Sequence, residues 1–322
     1  MAKLKIGVIG VGSLGQHHAR ALSELPQVEL AGVSDINESR VREIAGRHKV
    51  PFYADYRELL AKVDAVSIAV PTILHFQIAK DVLAQGKHVL VEKPVTTTVD
   101  QTQELIALAE QKRLKLQVGH IERFNPAFKA AAGHIQDPMF LECLRLTTFT
   151  GRNTDVSVVL SQMIHDIDIV LSLVNSELER VSACGLCLVS GSEDIANARL
   201  EFRNGCAASL TASRISGKKE RQMRVFQKDS YITVDYLNPG VQIQKIKDGP
   251  RKAADPSQSI ACIEPKIEQV ESLKEELSSF ADCILNDTVP LVTGRDGLRA
   301  LQAAEEIMRE IEKRNQKLKG KT

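Results

Sequence analysis

The sequence predicts an α/β protein: an N-terminal doubly wound domain, then an α+β domain with a large open, mostly antiparallel sheet. Three observations carry this. Over roughly the first 120 residues, short and continuously apolar runs alternate with amphipathic helical stretches, the pattern of a parallel sheet covered on both faces. After Asn125-Pro126 the pattern changes to a succession of strand-like runs separated by turns. The 322 residues are 43% hydrophobic and 26% charged, ordinary values for a chain that builds two cores.

Residues 4–9 form the first apolar run, which ends in glycines and leads into a helical pattern through residue 25. Residues 28–33 are the next strand, followed by a charged helix over 38–48. A third clear strand at 65–70 precedes a helix at 76–84, a fourth at 88–91 precedes a helix at 99–112, and residues 114–118 form a fifth. Strands covered on both faces lose period-two alternation, which is why these runs are apolar throughout. Beyond a short helix at 127–135, strands are expected at 140–149, 178–189, 196–202, 207–212, 222–227, 231–235 and 241–246. Turns such as Arg203-Asn204-Gly205 and Asn238-Pro239-Gly240 join several of them as in an antiparallel meander. A helix at 161–174 interrupts that sheet, residues 248–259 read as a polar loop, and helices at 267–285 and 297–314 close the chain.

Composition excludes several functions. Forty-two Lys and Arg against 41 Asp and Glu leave a net charge of +1, no footprint for nucleic acid or an anionic membrane surface. No apolar run approaches the ~20 residues of a membrane span. The apolar start runs straight into glycines rather than to a cleavage site, so the chain reads as a cytoplasmic protein. Six scattered cysteines do not make a disulfide framework. Cys184 and Cys187 have ligand-like spacing, but on a strand residues three apart face opposite ways, so no metal is expected. His17-His18 reads as a packed or exposed pair, and Lys218-Lys219 as a turn.

The chemistry-bearing residues begin with Gly10-Val11-Gly12-Ser13-Leu14-Gly15, a GxGxxG placed where the first strand passes into the first helix. Glycines there permit a tight turn and let backbone N–H groups approach a pyrophosphate at the helix N-terminus, the Rossmann arrangement. Asp35 closes the second strand, where a carboxylate accepts both ribose hydroxyls of an adenosine and repels the 2′-phosphate of NADP. The cofactor expected is therefore NAD, with Arg40 lying against the adenine. Pro71, Thr72 and His75 follow the third clear strand, and Glu92-Lys93-Pro94 follows the fourth, both at C-terminal strand ends where ligands bind in such sheets. In the second domain, Ser161, His165 and Asp168 share one face of a helix whose other face, Met163, Ile167, Val170 and Val174, is a core stripe. A histidine in that setting is a natural acceptor of a hydroxyl proton at neutral pH.

Taken together these residues resemble the glucose–fructose oxidoreductase / inositol dehydrogenase / rhizopine catabolism (Gfo/Idh/MocA) family over essentially the whole chain. The match runs through GxGxxG, Glu92-Lys93-Pro94, the histidine-bearing helix and the closing stretch from Pro290 to Leu301. The resemblance implies an NAD-binding domain over 1–123, a substrate-binding and oligomerisation domain over 124–290, and a helix over 291–322 packing back on the first. It implies Lys93 beside substrate and nicotinamide, a Lys-Pro peptide that is often cis, and a homodimer or homotetramer paired through the open sheet face. Two stretches, 118–126 and 163–168, are similar to members that oxidise the 3-hydroxyl of UDP-N-acetylglucosamine for amino-sugar, lipid A or surface-glycan synthesis.

One departure stands out: many members carry Asp four residues before the helix histidine, and this chain has Ser161. Asp166 or Asp168 is left to replace it. The resemblance makes Lys93 and His165 the catalytic pair. Gly10, Gly12, Ser13, Leu14, Gly15, Asp35, Arg40, Pro71, Thr72, His75, Glu92 and Lys93 are the cofactor contacts. Lys93, Arg123, Asn125, Arg152, Ser161 and His165 are the substrate contacts, the two arginines suiting a diphosphate because a guanidinium matches phosphate oxygens in a fork. The alternatives are a dehydrogenase of a free sugar or inositol, and a non-catalytic dinucleotide sensor.

Overall fold

In the computed structural model of the protein, the described residues are 3–151, 154, 156–246 and 260–319. The first stretch runs β1 (Leu4–Ile9), α1 (Gly15–Ser23), β2 (Val28–Ser34), α2 (Glu38–His48), β3 (Phe52–Tyr53), α3 (Tyr56–Leu60), β4 (Ala65–Ile68), α4 (His75–Ala84), β5 (His88–Glu92), α5 (Val99–Lys112) and β6 (Leu116–Gly119). All six strands are parallel, in the order β3-β2-β1-β4-β5-β6. The chain winds one way from β1 to β3 and the other way from β4 to β6, so the topological switch point lies between β1 and β4. Side-chain caps start the helices: Asn37, Asp55 and Thr98 each accept a backbone N–H of the first turn of α2, α3 and α5. Every residue of β4 is buried, as expected for a strand covered on both faces.

The chain continues with α6 (Pro126–Ala132), β7 (Phe140–Leu146), a π-helical turn over Val159–Met163, α7 (Ile164–Leu173), β8 (Leu178–Leu186), β9 (Ile195–Phe202), β10 (Ala207–Ser213), β11 (Glu220–Phe226), β12 (Ser230–Asp235), β13 (Gly240–Ile246) and β14 (Ile260–Ile263). These strands form a sheet of order β14-β13-β12-β11-β7-β10-β9-β8, antiparallel except where β10 runs parallel to β7. Burial alternates along it. Leu141, Cys143, Ala208, Leu210, Ala198, Leu200, Met223 and Val225 are buried on one face, while Glu142, Ser209, Thr211 and Arg224 lie on the other. The pleat sends alternate residues to opposite faces, so a sheet packed on one side only shows this period. The polar loop expected at 248–259 lies outside the described residues.

The chain closes with α8 (Ser272–Leu285) and α9 (Gly294–Lys319). Two compact units result: 1–124 with 270–301, and 125–269 with 302–322. The divisions expected from the sequence lie at 123/124 and 290/291, with 291–322 against the first domain; the compact units divide the last two helices elsewhere. Residues 270–290, placed with the second domain, belong to the first unit, because Leu277, Phe280, Ala281 and Cys283 of α8 complete the core formed by Leu22, Leu25, Val28 and Ile44. Gln27 Nε2 donates to Ser278 Oγ at 2.9 Å and Lys274 pairs with Glu24 at 3.2 Å on the same seam. The closing helix contributes residues through Leu301 to the first unit and the rest to the second. Among the described residues no helix is long and apolar enough to cross a membrane, and no group of three or more His, Cys, Asp or Glu is set to hold a metal ion.

Candidate active site

In the first unit the functional residues gather where the parallel strands end. Gly10 follows β1 with φ +85°, and a Cβ there would lie 2.7 Å from the Ala69 carbonyl oxygen. A Cβ on Gly15 would lie 1.7 Å from the Gly10 carbonyl oxygen, so no other residue fits. A Cβ on Gly12 meets nothing within 4 Å. Two glycines therefore serve the turn itself, and the third faces open space at the start of α1, with Ser13 and Leu14 exposed beside it. That space beside backbone N–H groups is what a pyrophosphate needs.

Asp35 is fixed from two sides: Oδ2 accepts the Val11 N–H at 2.8 Å and Oδ1 the Asn37 N–H at 2.9 Å. Arg40 lies beneath it as a brace. Its Nε donates to the Val11 carbonyl at 3.1 Å, one Nη to Gln16 at 2.8 Å and the other to Glu43 at 2.7 Å. With its donors turned to these groups, Arg40 ties α2 to the glycine turn. The open Gly12 face, the helix N-terminus and the fixed carboxylate fit a dinucleotide whose ribose carries free hydroxyls.

Pro71 and Thr72 follow β4 at a 3-10 turn over Thr72–Leu74, Pro71 exposed and Thr72 half-buried. His75, expected among the cofactor contacts, is 1% exposed, with Nδ1 2.8 Å from the Pro94 carbonyl oxygen and Nε2 2.9 Å from that of Val70. Burial pushes this imidazole below its ordinary pKa, against the pull of the two carbonyls. Glu92 is likewise turned inward, its Oε1 3.1 Å from Nε2 of His18. Burial alone would raise its carboxyl, but the His18 hydrogen bond and the Lys93 charge hold it below the ordinary carboxylate value. Lys93 is half-buried at the end of β5, and its peptide bond to Pro94 is cis.

In the second unit the site helix begins with the π-helical turn, which carries Ser161 and Gln162 just ahead of His165. A π turn places an extra residue in the circuit, so the i,i+4 spacing of Ser161 and His165 no longer stacks them as in a regular α-helix. Ser161 Oγ donates to the Ser157 carbonyl at 3.0 Å, and His165 is half-buried. Asp166 takes a two-point hydrogen bond from Arg145 of β7, at 2.9 and 2.8 Å, with both side chains buried. Asp168 is 1% exposed. Asn125, expected to hold substrate, is the N-cap of α6. Its Oδ1 accepts the Ala127 N–H at 3.0 Å, and its amide donates to the Tyr236 carbonyl at 3.3 Å. Arg123, in the first unit, pairs with Asp296 at 3.8 Å. Arg152 lies outside the described residues.

Three supporting residues escaped the sequence reading. His18 is buried although its neighbour His17 is exposed. Gly119 has no side chain because Glu92 occupies the space, a Cβ there falling 3.0 Å from Glu92 Cδ. Arg145 looked like an ordinary strand residue. Only Gly119 left a signal, since glycine at a strand position marks a close approach.

The glycine turn at the end of the first strand, the fixed acid at the end of the second and the switch point beside them define a dinucleotide-binding α/β protein of the Rossmann class. Comparison with known proteins makes this specific. Residues 4–120 match the NAD-binding Rossmann-fold domain of an oxidoreductase family, Gfo/Idh/MocA, residues 151–319 match its C-terminal alpha/beta domain, and the chain belongs to that family. It is an NAD-dependent dehydrogenase acting on CH–OH groups. It is similar to UDP-N-acetylglucosamine 3-dehydrogenase of Acidithiobacillus ferrooxidans, 35% identical over 97% of this chain and 98% of that protein. It is also similar to scyllo-inositol 2-dehydrogenase (NAD(+)) of Bacillus subtilis, 27% identical over 91% and 90%. A solved structure of the Acidithiobacillus enzyme superposes with a TM-score of 0.90 at 34% identity, covering 97% of this chain and 99% of that one.

Proposed function

We propose that the chain oxidises the 3-hydroxyl of a UDP-N-acetyl-hexosamine to the 3-keto sugar nucleotide, in the manner of a UDP-N-acetylglucosamine 3-dehydrogenase. The reading rests above all on 35% identity to an enzyme of that name over nearly the full length of both chains. Bound NAD supplies the acceptor for the electron pair that leaves the carbinol carbon. His165 takes the hydroxyl proton, the role for which a neutral imidazole is suited near pH 7. Lys93 donates a hydrogen bond to the same oxygen and opposes the negative charge that develops there. Arg123 and Arg152 hold the diphosphate, and Ser161 a sugar hydroxyl. Asn125, which caps α6 and donates to the Tyr236 carbonyl, holds the sugar from that position.

A 3-keto sugar nucleotide is a substrate for transamination, so the product feeds amino-sugar synthesis for lipid A or another surface glycan, in the cytoplasm. Copies of the chain associate through the open face of the eight-stranded sheet, where Tyr231 stacks on Phe226, Phe140 lies tilted against Phe226, and Arg199 lies over Phe140. The test is incubation with NAD and a panel of UDP-sugars, free sugars and inositols, following nicotinamide reduction by absorbance and product by mass. Reduction with UDP-N-acetylglucosamine and a product lighter by two hydrogens is expected. Turnover of inositols alone would reject the substrate class, and no reduction with any of them would reject catalysis. Lys93→Ala and His165→Ala are each expected to lower kcat by at least ~100-fold while NAD binding survives.

A further inference from the structure

Two imidazoles that this chemistry leaves out bond to the residues before and after Lys93. His18, on the first turns of α1, is 1% exposed, with Nε2 3.1 Å from Glu92 Oε1 and Nδ1 2.7 Å from Ser67 Oγ. A carboxylate only accepts, so Nε2 donates to Glu92 and Nδ1 accepts from the Ser67 hydroxyl; we assign the tautomer from these partners. Glu92 Oε2 accepts the backbone N–H of Lys93 at 3.3 Å. His75, at the start of α4, spans the Pro94 and Val70 carbonyls. The neutral ring donates to one of them and the imidazolium to both. Beyond Pro94, Thr96 Oγ1 donates to the Thr98 carbonyl at 2.7 Å and lies 2.6 Å from Thr102 Oγ1, fastening the turn to α5.

We propose that His18 and His75 are positioning residues for Lys93. They hold Glu92 and Pro94, its neighbours on either side, and so set where the ammonium is presented. A lysine has a flexible four-carbon stem, and fixing its backbone at both flanks narrows the region its nitrogen samples. Because His18 belongs to the helix that opens onto the Gly12 space, the same clamp ties the Lys93 turn to the cofactor cradle. The inference rests on the reading of Lys93 as the donor to the reacting oxygen. A merely structural role would satisfy the same buried backbone groups without acting through Lys93, and that difference is measurable.

The full-length protein is compared with His75→Phe, His18→Phe, His75→Gln, His18→Gln, Lys93→Ala and the Lys93→Ala/His75→Phe double variant. The readouts are kcat, the Kd for NAD by calorimetry, thermal melting, and hydrogen exchange of peptides covering residues 92–98. Each Phe variant is expected to lose about 10- to 100-fold in kcat, the scale of a reacting group misplaced by about 1 Å. Its Kd for NAD is expected to change by less than about threefold, with faster exchange centred on 92–98. The Gln variants, which restore a donor, recover most of the rate. The double variant is expected to be no slower than Lys93→Ala, because a residue acting through Lys93 has nothing left to act on. Losses that multiply in the double variant, unchanged exchange over 92–98, or Gln variants no better than Phe would each overturn the proposal. Should a Phe variant fail to fold, the smaller Leu variant, which likewise lacks a donor, takes its place with the same readouts. Near wild-type turnover by Lys93→Ala would reject the proposed role of Lys93, whereas the exchange measurement judges the clamp by itself.

Discussion

The two sheets treat their polar residues differently. In the first unit, polar side chains converge on the loops that follow the parallel strands: Asp35 bonds to the glycine turn, and His18 and His75, from α1 and α4, bond to Glu92 and Pro94 beside Lys93. In the second unit, buried acids are drawn into the packing, Asp166 by Arg145 and Asp194 by three backbone N–H groups. A parallel sheet covered on both faces leaves its C-terminal edge as the place for chemistry, whereas a sheet covered on one face also needs polar groups to join helix to sheet. A polar cluster is therefore a better guide to function in the first unit than in the second.

The sharpest way to break this comparison is at the glycines. Gly15→Ala puts a Cβ 1.7 Å from a backbone oxygen, and we expect loss of folded protein or of all measurable NAD binding. Gly12→Ala meets no protein atom within 4 Å, so it should melt as wild type yet bind NAD about tenfold more weakly, a 1.4 kcal/mol effect. Equal effects from the two would mean that Gly12 does not face the ligand. Next, Arg145→Met removes the guanidinium from a buried carboxylate and should cost about 3–5 kcal/mol in urea unfolding, most of it recovered by Arg145→Met/Asp166→Leu. A loss below about 1 kcal/mol, the worth of an exposed pair, would show that the pair does not join α7 to the sheet.

A smaller effect follows from Glu92. Its folded pKa lies below the ordinary 4.5, so its contribution to stability is complete above that value and is lost as pH falls through the lower folded value. The melting temperature of the wild type should therefore fall more steeply below pH 4.5 than that of Glu92→Gln. Parallel curves would contradict the His18–Glu92 link. Smallest is Ser161→Asp. A carboxylate near His165 raises the imidazole pKa and should move the acidic limb of the pH–rate profile upward by up to about one unit. An unmoved limb would reject the pairing of residue 161 with His165 as the titrating base.

Much of the fold was legible because its signals are local. The strands beginning at Leu4, Val28, Ala65 and His88 fall where unbroken apolar runs place them, and α2 and α5 match their expected limits. Two-residue β3 and short α3 were missed, being too brief to show a period, and β14 was hidden beside a polar segment. The helix pattern of α8 was legible but not its allegiance, since an amphipathic stripe does not say which core receives Phe280.

The same division holds for the site. Glycines at a strand–helix turn and an acid closing the next strand determine a dinucleotide cradle by themselves, because backbone geometry there admits few residues and each is close in sequence to what it serves. The protein partners of Asp166, Asn125, His75 and His18 were decided only by tertiary structure. Spacing gives the face of a helix, but the partner on that face comes from strands and turns far along the chain, such as Arg145 for Asp166 and Glu92 for His18.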